Sequence, residues 1–249
     1  MVRGLITALR TLTTIPVSGK DACNFAASLP WFPAVGAFLG CIVYSIGYGA
    51  SWCTHNSWHE VVAVCMVIAG IALTRGMHVD GLADWADAFW NPHDKQRTLA
   101  IMKDTHIGVF GVIAVTCMLF AQWLACNRMA AQGIMDGIIS AYIVSRTMQV
   151  ELAASLPYAR QHGTAAPFVL GAKPYHRIIA AGCAAVLLVV LYGLKGILLL
   201  LCGWLMTLQL GAWSKKRIGG VTGDILGACS VINETVILMV CAGTGIQFR

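Results

Sequence analysis

The stretch HVDGLADWADAF at residues 78–89 holds Asp80, Asp84 and Asp87, three of only 11 acidic residues in a chain of 249. If the segment is helical, each residue advances by about 100°, so Asp84 lies about 40° from Asp80 and Asp87 about 20° to the other side. The three carboxylates then share one face, while Leu82, Trp85 and Phe89 take the opposite one. Like charges at i,i+4 repel and weaken a helix, so such a face calls for compensation. A hard divalent cation (Mg²⁺, Mn²⁺ or Ca²⁺) suits an all-oxygen donor set. A solvated acidic surface and an ion-conducting path are the competing explanations. The first is disfavoured because ionisable groups near membrane depth are expensive and usually functional.

Other polar segments add candidates. GGVTGD at 219–224 carries Thr222 and Asp224 on a glycine-rich turn. Such a turn presents backbone N–H groups to a phosphate, a further carboxylate to a metal, or simply an N-cap. IMKDTHIG (101–108) offers Lys103, Asp104 and His106, and PYAR (157–160) offers Tyr158 and Arg160, with His162 close behind. Arg146 and Glu234 fall inside apolar runs. A buried charge needs a partner, so they pair with each other or Arg146 meets a substrate phosphate; a structural pair is the favoured reading.

These residues are set in a very apolar chain. Hydrophobic residues make up 58% and charged residues 11%, against about a quarter charged in soluble domains. The expectation is an all-α, polytopic integral membrane bundle forming one domain over 1–249. A spanning helix needs roughly 20 apolar residues, and seven candidates emerge: 31–50, 59–77, 108–126, 134–154, 177–194, 196–213 and 225–244. Residues 1–17 read as an interfacial amphipathic helix, and 78–107 as an acidic catalytic segment. The ten cysteines form no CxxC and behave as small hydrophobes. GAFLG at 36–40 is a GxxxG packing motif.

Loop charge sets the orientation. With the N-terminus in the cytoplasm, the outer segments hold Arg128, Lys195 and Arg249, Arg146 lies within a span, and the rest of the 17 Lys and Arg face inward. The outer loop at 51–58 has no Lys or Arg but two Trp, which suits an interfacial belt. HVDGLADWADAF, IMKDTHIG, PYAR and GGVTGD then all open on the cytoplasmic side.

HVDGLADWADAF resembles the HxDGLADxxDG signature of the cobalamin synthase family, the adenosylcobinamide-GDP ribazoletransferases. WFPAVGAFLG (31–40), IMKDTHIGVFGV (101–112), PYAR and GGVTGDILGA (219–228) resemble family segments in the same order and at similar separations. The resemblance implies a multi-pass enzyme of the cell inner membrane that joins adenosylcobinamide-GDP to α-ribazole, or its 5′-phosphate, in the presence of Mg²⁺. The products are adenosylcobalamin, or its 5′-phosphate, and GMP. On this reading Asp80, Asp84, Asp87 and Asp224 are metal ligands, with Asp84 or Asp87 available as general base. Lys103, Arg146, Arg160 and Thr222 are substrate contacts. The bilayer is a partner, nucleic acid is not, and association with other cobalamin-pathway enzymes stays open. Departures from the family pattern are Thr14 in TTIP, Arg75 before Gly76, and Ala88 after the third Asp; none removes a carboxylate. A CDP-alcohol phosphotransferase would need an Arg where Asp84 stands. A transporter would place such groups near the midplane and often show inverted repeats.

Overall fold

The computed structural model describes residues 2–90 and 94–247; Arg249, counted above among the outer charges, lies outside them. The chain begins with the amphipathic helix α1 (Val2–Leu12), shorter than the expected 1–17. Thr13 ends it by returning its hydroxyl to the Leu9 carbonyl at 2.8 Å, and Arg10 pins the following loop by pairing with Asp21 at 2.9 Å. A 3-10 turn at Phe25–Trp31, capped by Asn24, leads into α2 (Phe32–Cys53). Then come α3 (His59–Leu73), α4 (Met77–Phe89), α5 (Lys95–Ile101), α6 (Val109–Gln132) and α7 (Gly137–Ser155). The last four are α8 (Ala166–Leu170), α9 (Pro174–Tyr192), α10 (Leu194–Ile218) and α11 (Gly223–Thr244). Gly193 alone joins α9 to α10, at φ 63°.

Five helical segments are long and apolar enough to cross a membrane: α2 with its leading turn, α6, α9, α10 and α11. The bent pair α3 and α4 makes six if taken as one span. The protein is a multi-pass membrane protein. Its lipid-facing belt is visible in exposed apolar side chains such as Val112 and Phe120 of α6, Val186 and Val190 of α9, and Leu201 and Leu205 of α10. The expected span 134–154 is present as α7 but has a different character. Almost every residue from Gly137 to Ala153 is buried, enclosed by α2, α9, α10 and α11. A helix shielded from lipid by its neighbours does not need an apolar surface, which is why α7 carries Ser140, Ser145, Arg146, Thr147 and Gln149. The GxxxG motif serves this packing: a Cβ on Gly40 would sit 2.7 Å from the Ile139 Cα, so α2 reaches the α7 backbone only because Gly36 and Gly40 lack one.

The expected span 59–77 is corrected. Helix α3 stops at Leu73, and the chain passes through left-handed Arg75 (φ 55°) and Gly76 (φ 65°) before α4 departs at an 88° bend. Glycine adopts that geometry freely, whereas a residue with a Cβ does so at a cost. Arg75 therefore stands in a strained position. The bend leaves α4 lying across the direction of α3, as a 13-residue helix at the end of the bundle rather than a spanning one. Thr14 straps α1 to this corner, its N–H donating to the Leu73 carbonyl at 2.8 Å.

Arg146 is fully buried in the middle of α7. Its Nη1 meets Glu234 Oε1 of α11 at 2.8 Å and also the Ser230 hydroxyl, and the guanidinium lies 5.4 Å from the centre of the Tyr142 ring. The pair expected from sequence is formed, and it locks α7 to α11. Arg146→Met should destabilise the detergent-solubilised protein by up to about 3 kcal/mol, because Glu234, only 12% exposed, loses its cation and keeps only the Ser145 and Ser230 hydroxyls. The double change with Glu234→Leu should recover most of that loss in melting temperature.

Candidate active site

The first turn of α11 is built by Thr222, whose Oγ1 accepts the Ile225 N–H at 3.3 Å and donates to Asp224 Oδ2 at 3.2 Å. The preceding residue, Val221, forms a short parallel bridge with Tyr158. Its N–H donates to the Pro157 carbonyl at 2.8 Å, and its own carbonyl accepts the Ala159 N–H at 2.9 Å. That register carries Arg160 to Asp224, where Nη2 lies 2.7 Å from Oδ2. The same nitrogen donates to the Met102 carbonyl at 3.2 Å, drawing in the segment between α5 and α6.

Helix α4 closes against this cluster. A Cβ on Gly81 would lie 2.7 Å from the Asp224 carbonyl oxygen and 3.0 Å from its Cα, so glycine there is what lets the acidic helix reach α11. At the other end of α4, Asp87 Oδ2 accepts the Gly108 N–H at 2.7 Å and Oδ1 the Gly111 N–H at 2.8 Å. Those amides begin α6, where the helix dipole favours negative charge. Asp80 is exposed, Asp84 half-buried and Asp87 buried. Burial pushes the Asp84 carboxyl up to about 7, helped by the nearby Asp224, Asp80 and Asp87 charges and opposed by Arg160. Burial likewise raises the Tyr158 hydroxyl.

The four polar segments singled out in the sequence thus meet at one end of the bundle, and Asp80, Asp84 and Asp224 form one electrostatic group. Among the described residues, no group of three or more His, Cys, Asp or Glu is gathered closely enough to hold a metal by itself. The helical wheel put Asp87 on the same face, but its two oxygens are spent on the α6 amides. Thr222 is fully buried and acts on Asp224 from behind. Arg146 is with Glu234 in the core, and Lys103 is exposed beside Met102.

Beside Asp80 and Asp224 opens a cavity of ≈ 210 Å³, walled by Leu29, Phe32, Phe168 and Gln149 among others. Gln149 was not anticipated. It is 4% exposed, its Nε2 donates to the Leu226 carbonyl at 3.2 Å, and its Oε1 has no partner. His78 also lines this cavity, with Nδ1 unpartnered. His78 sits in the opening motif and was readable there. Gln149 carried no signal beyond being polar within a predicted span.

The family model for cobalamin-5-phosphate synthase matches residues 4–242. The chain belongs to the cobalamin-5-phosphate synthase family. Members named adenosylcobinamide-GDP ribazoletransferase are similar along nearly the whole length. The one from Chlorobium chlorochromatii is 44% identical over 95% of this chain and 94% of its own. That from Chlorobium phaeovibrioides is 43% identical over 100% and 99%, and that from Roseiflexus sp. is 34% identical over 93% and 86%. No solved structure matches the chain. Within this cobalamin-5-phosphate synthase family member, four of the five segments that carry the resemblance meet at the polar end of the bundle, and the fifth, residues 31–40, enters α2 and packs on α7.

The two acids should separate by stability. Because the folded protein raises the Asp84 carboxyl above its ordinary value of 3.8, its ionisation costs stability that is fully felt above about pH 7 and disappears as pH falls toward 4. Without divalent cations, Asp84→Asn should melt higher than wild type at pH 8, with the gap closing at pH 5. Asp87→Ala removes a helix cap and should melt lower at both pH values, by about 0.5–2 kcal/mol.

Proposed function

We propose that this protein is an adenosylcobinamide-GDP ribazoletransferase, joining adenosylcobinamide-GDP to α-ribazole or its 5′-phosphate with release of GMP. The relatives' names support the reaction. The observation that carries the local assignment is the meeting of Asp80, Asp84, Asp224 and Arg160 at one end of the bundle.

The chemistry is transfer of a substituted phosphoryl group. The 3′-hydroxyl oxygen of ribazole bonds to the phosphorus bearing cobinamide, the bond from that phosphorus to the bridging oxygen breaks, and GMP leaves with that oxygen. The hydroxyl proton passes to a carboxylate. Asp84 is the better base of the two considered from sequence: Asp87 is occupied by amides, and a carboxyl near neutrality is matched to accept a proton at pH 7. Asp80 and Asp224 are the residues that would hold Mg²⁺. That the described residues form no closed cage fits this ion, which is commonly held by one or two carboxylates together with substrate phosphates. When bound, Mg²⁺ would neutralise the diphosphate and the leaving group. Arg160 holds Asp224 in place and, with Lys103 beside it, offers positive charge to the phosphates. The site faces the cytoplasm across the cell inner membrane, a reading supported by the concentration of Lys and Arg at this end.

The test is GMP release by purified protein given adenosylcobinamide-GDP, α-ribazole 5′-phosphate and Mg²⁺. Wild type should yield GMP and a joined corrinoid in equal amounts. EDTA should abolish both, and Asp84→Asn should lower the rate at least 10²-fold, the lower end of what a positioned base contributes. Folded wild-type protein that makes no GMP would overturn the assignment.

A further inference from the structure

The cavity beside the carboxylates is too small for either whole substrate. Ligand pockets that enclose drug-sized molecules run from about 300 to 1,000 Å³, and this one is ≈ 210 Å³. It therefore takes a fragment, and its wall says which kind. Leu12 of α1, Leu29 and Phe32 of the α2 entry, and Phe168 of α8 give it an apolar, partly aromatic lining. Its charged residues, Asp80 and Asp224, belong to the reacting group already described. On the α7 side, Gln149 is held by the Leu226 carbonyl close to the first turn of α11, leaving its Oε1 as an unused acceptor.

We propose that this cavity is the subsite for the dimethylbenzimidazole base of the ribazole nucleoside, seating its ribose against Gln149 and Asp224. The proposal rests on the ribazoletransferase reading and adds where the acceptor sits. Two fragments of the substrates are planar and compact enough to compete for the space: the benzimidazole and the guanine of the leaving nucleotide. Guanine carries several ring-edge donors and acceptors, and each one buried without a partner is costly. The Leu and Phe part of the wall satisfies none of them, and the polar lining groups, Thr11, His78, Thr164, Gln149 and the two carboxylates, are then left for the ribose and the reacting end. Dimethylbenzimidazole has two methyl groups, no N–H once joined to ribose, and one ring nitrogen as acceptor. An apolar slot recognises it through buried area. The corrinoid ring is excluded by size, and its charged diphosphate belongs outside, by Arg160 and Lys103. With the base inside, the ribose hydroxyls emerge at the Asp80–Asp224 end, where Gln149 Oε1 can accept a hydrogen bond from one of them.

The test is equilibrium dialysis of radiolabelled α-ribazole against solubilised protein without the corrinoid substrate, so its outcome does not depend on turnover. Two substitutions fill the cavity from different elements: Ala165→Phe, ahead of α8, and Thr11→Phe, on α1. Ala165→Ser is the control for local disturbance. Wild type and Ala165→Ser should bind alike, both filled variants should bind at least tenfold more weakly with unchanged melting temperature, and excess guanosine should not displace the label. Equal binding by two folded, filled variants would overturn the subsite, as would displacement by guanosine. If one filled variant fails to fold, the other decides. Failure of the transferase reading is separately visible as absent GMP release by wild type. Wild-type turnover alongside unaltered ribazole binding in the filled variants would retire only this inference.

Discussion

Asp224 and Arg160 come from chain segments more than sixty residues apart, and their contact at 2.7 Å organises the polar end of the bundle. Asp224 brings α11, whose N-terminal turn Thr222 fixes, and Arg160 brings the loop bridged to Val221. The same guanidinium reaches the carbonyl of Met102, tying in the approach to α6. The acidic helix α4 then has one place to go: against α11 at Gly81. Both partners of the pair are about one-fifth exposed, so much of its value lies in geometry rather than in Coulomb energy, which water screens. It leaves Asp224 neutralised on one oxygen while its neighbours Asp80 and Asp84 repel each other nearby.

The resulting site is tense in a specific way. Burial first, then the charges of Asp224, Asp80 and Asp87 with Arg160 opposing them, push the Asp84 carboxyl up to about 7. Asp87, only one helical turn further on, is relaxed because two amides satisfy it. One short helix thus carries acids in different settings: Asp87 ties it to the start of α6, while Asp80 is exposed and Asp84 half-buried.

Much of this was legible in the sequence because its causes are local. Apolar runs of spanning length gave the main helices, the GxxxG spacing marked α2 for close packing without naming α7 as its partner, and buried-charge cost favoured a pairing of Arg146 with Glu234. The convergence of four polar segments followed from loop charge and span counting. Less legible was anything that depends on which tertiary neighbour arrives first. On a helical wheel Asp87 is equivalent to Asp84, and only the placement of the α6 N-terminus distinguishes them. Thr222 read as a possible ligand contact because its burial behind Asp224 is a packing outcome. The break after Leu73 passes through Gly76, a residue suited to left-handed geometry, and through Arg75, which gives no warning of it. Gln149 was hidden because a polar residue in a span has no periodicity to announce which wall it joins.

Helix α7 is surrounded by protein over nearly its whole length and carries Arg146, Gln149 and several hydroxyls. A segment of that composition partitions poorly into lipid by itself. During synthesis it follows α2 and α6 out of the ribosome but precedes α9, α10 and α11, which later complete its enclosure. The surface that can receive it first is α2, through the glycine pair at 36 and 40. Those two glycines therefore carry a duty in biogenesis as well as in the finished fold: they offer a docking strip to a helix still waiting for its salt-bridge partner, Glu234, to be made.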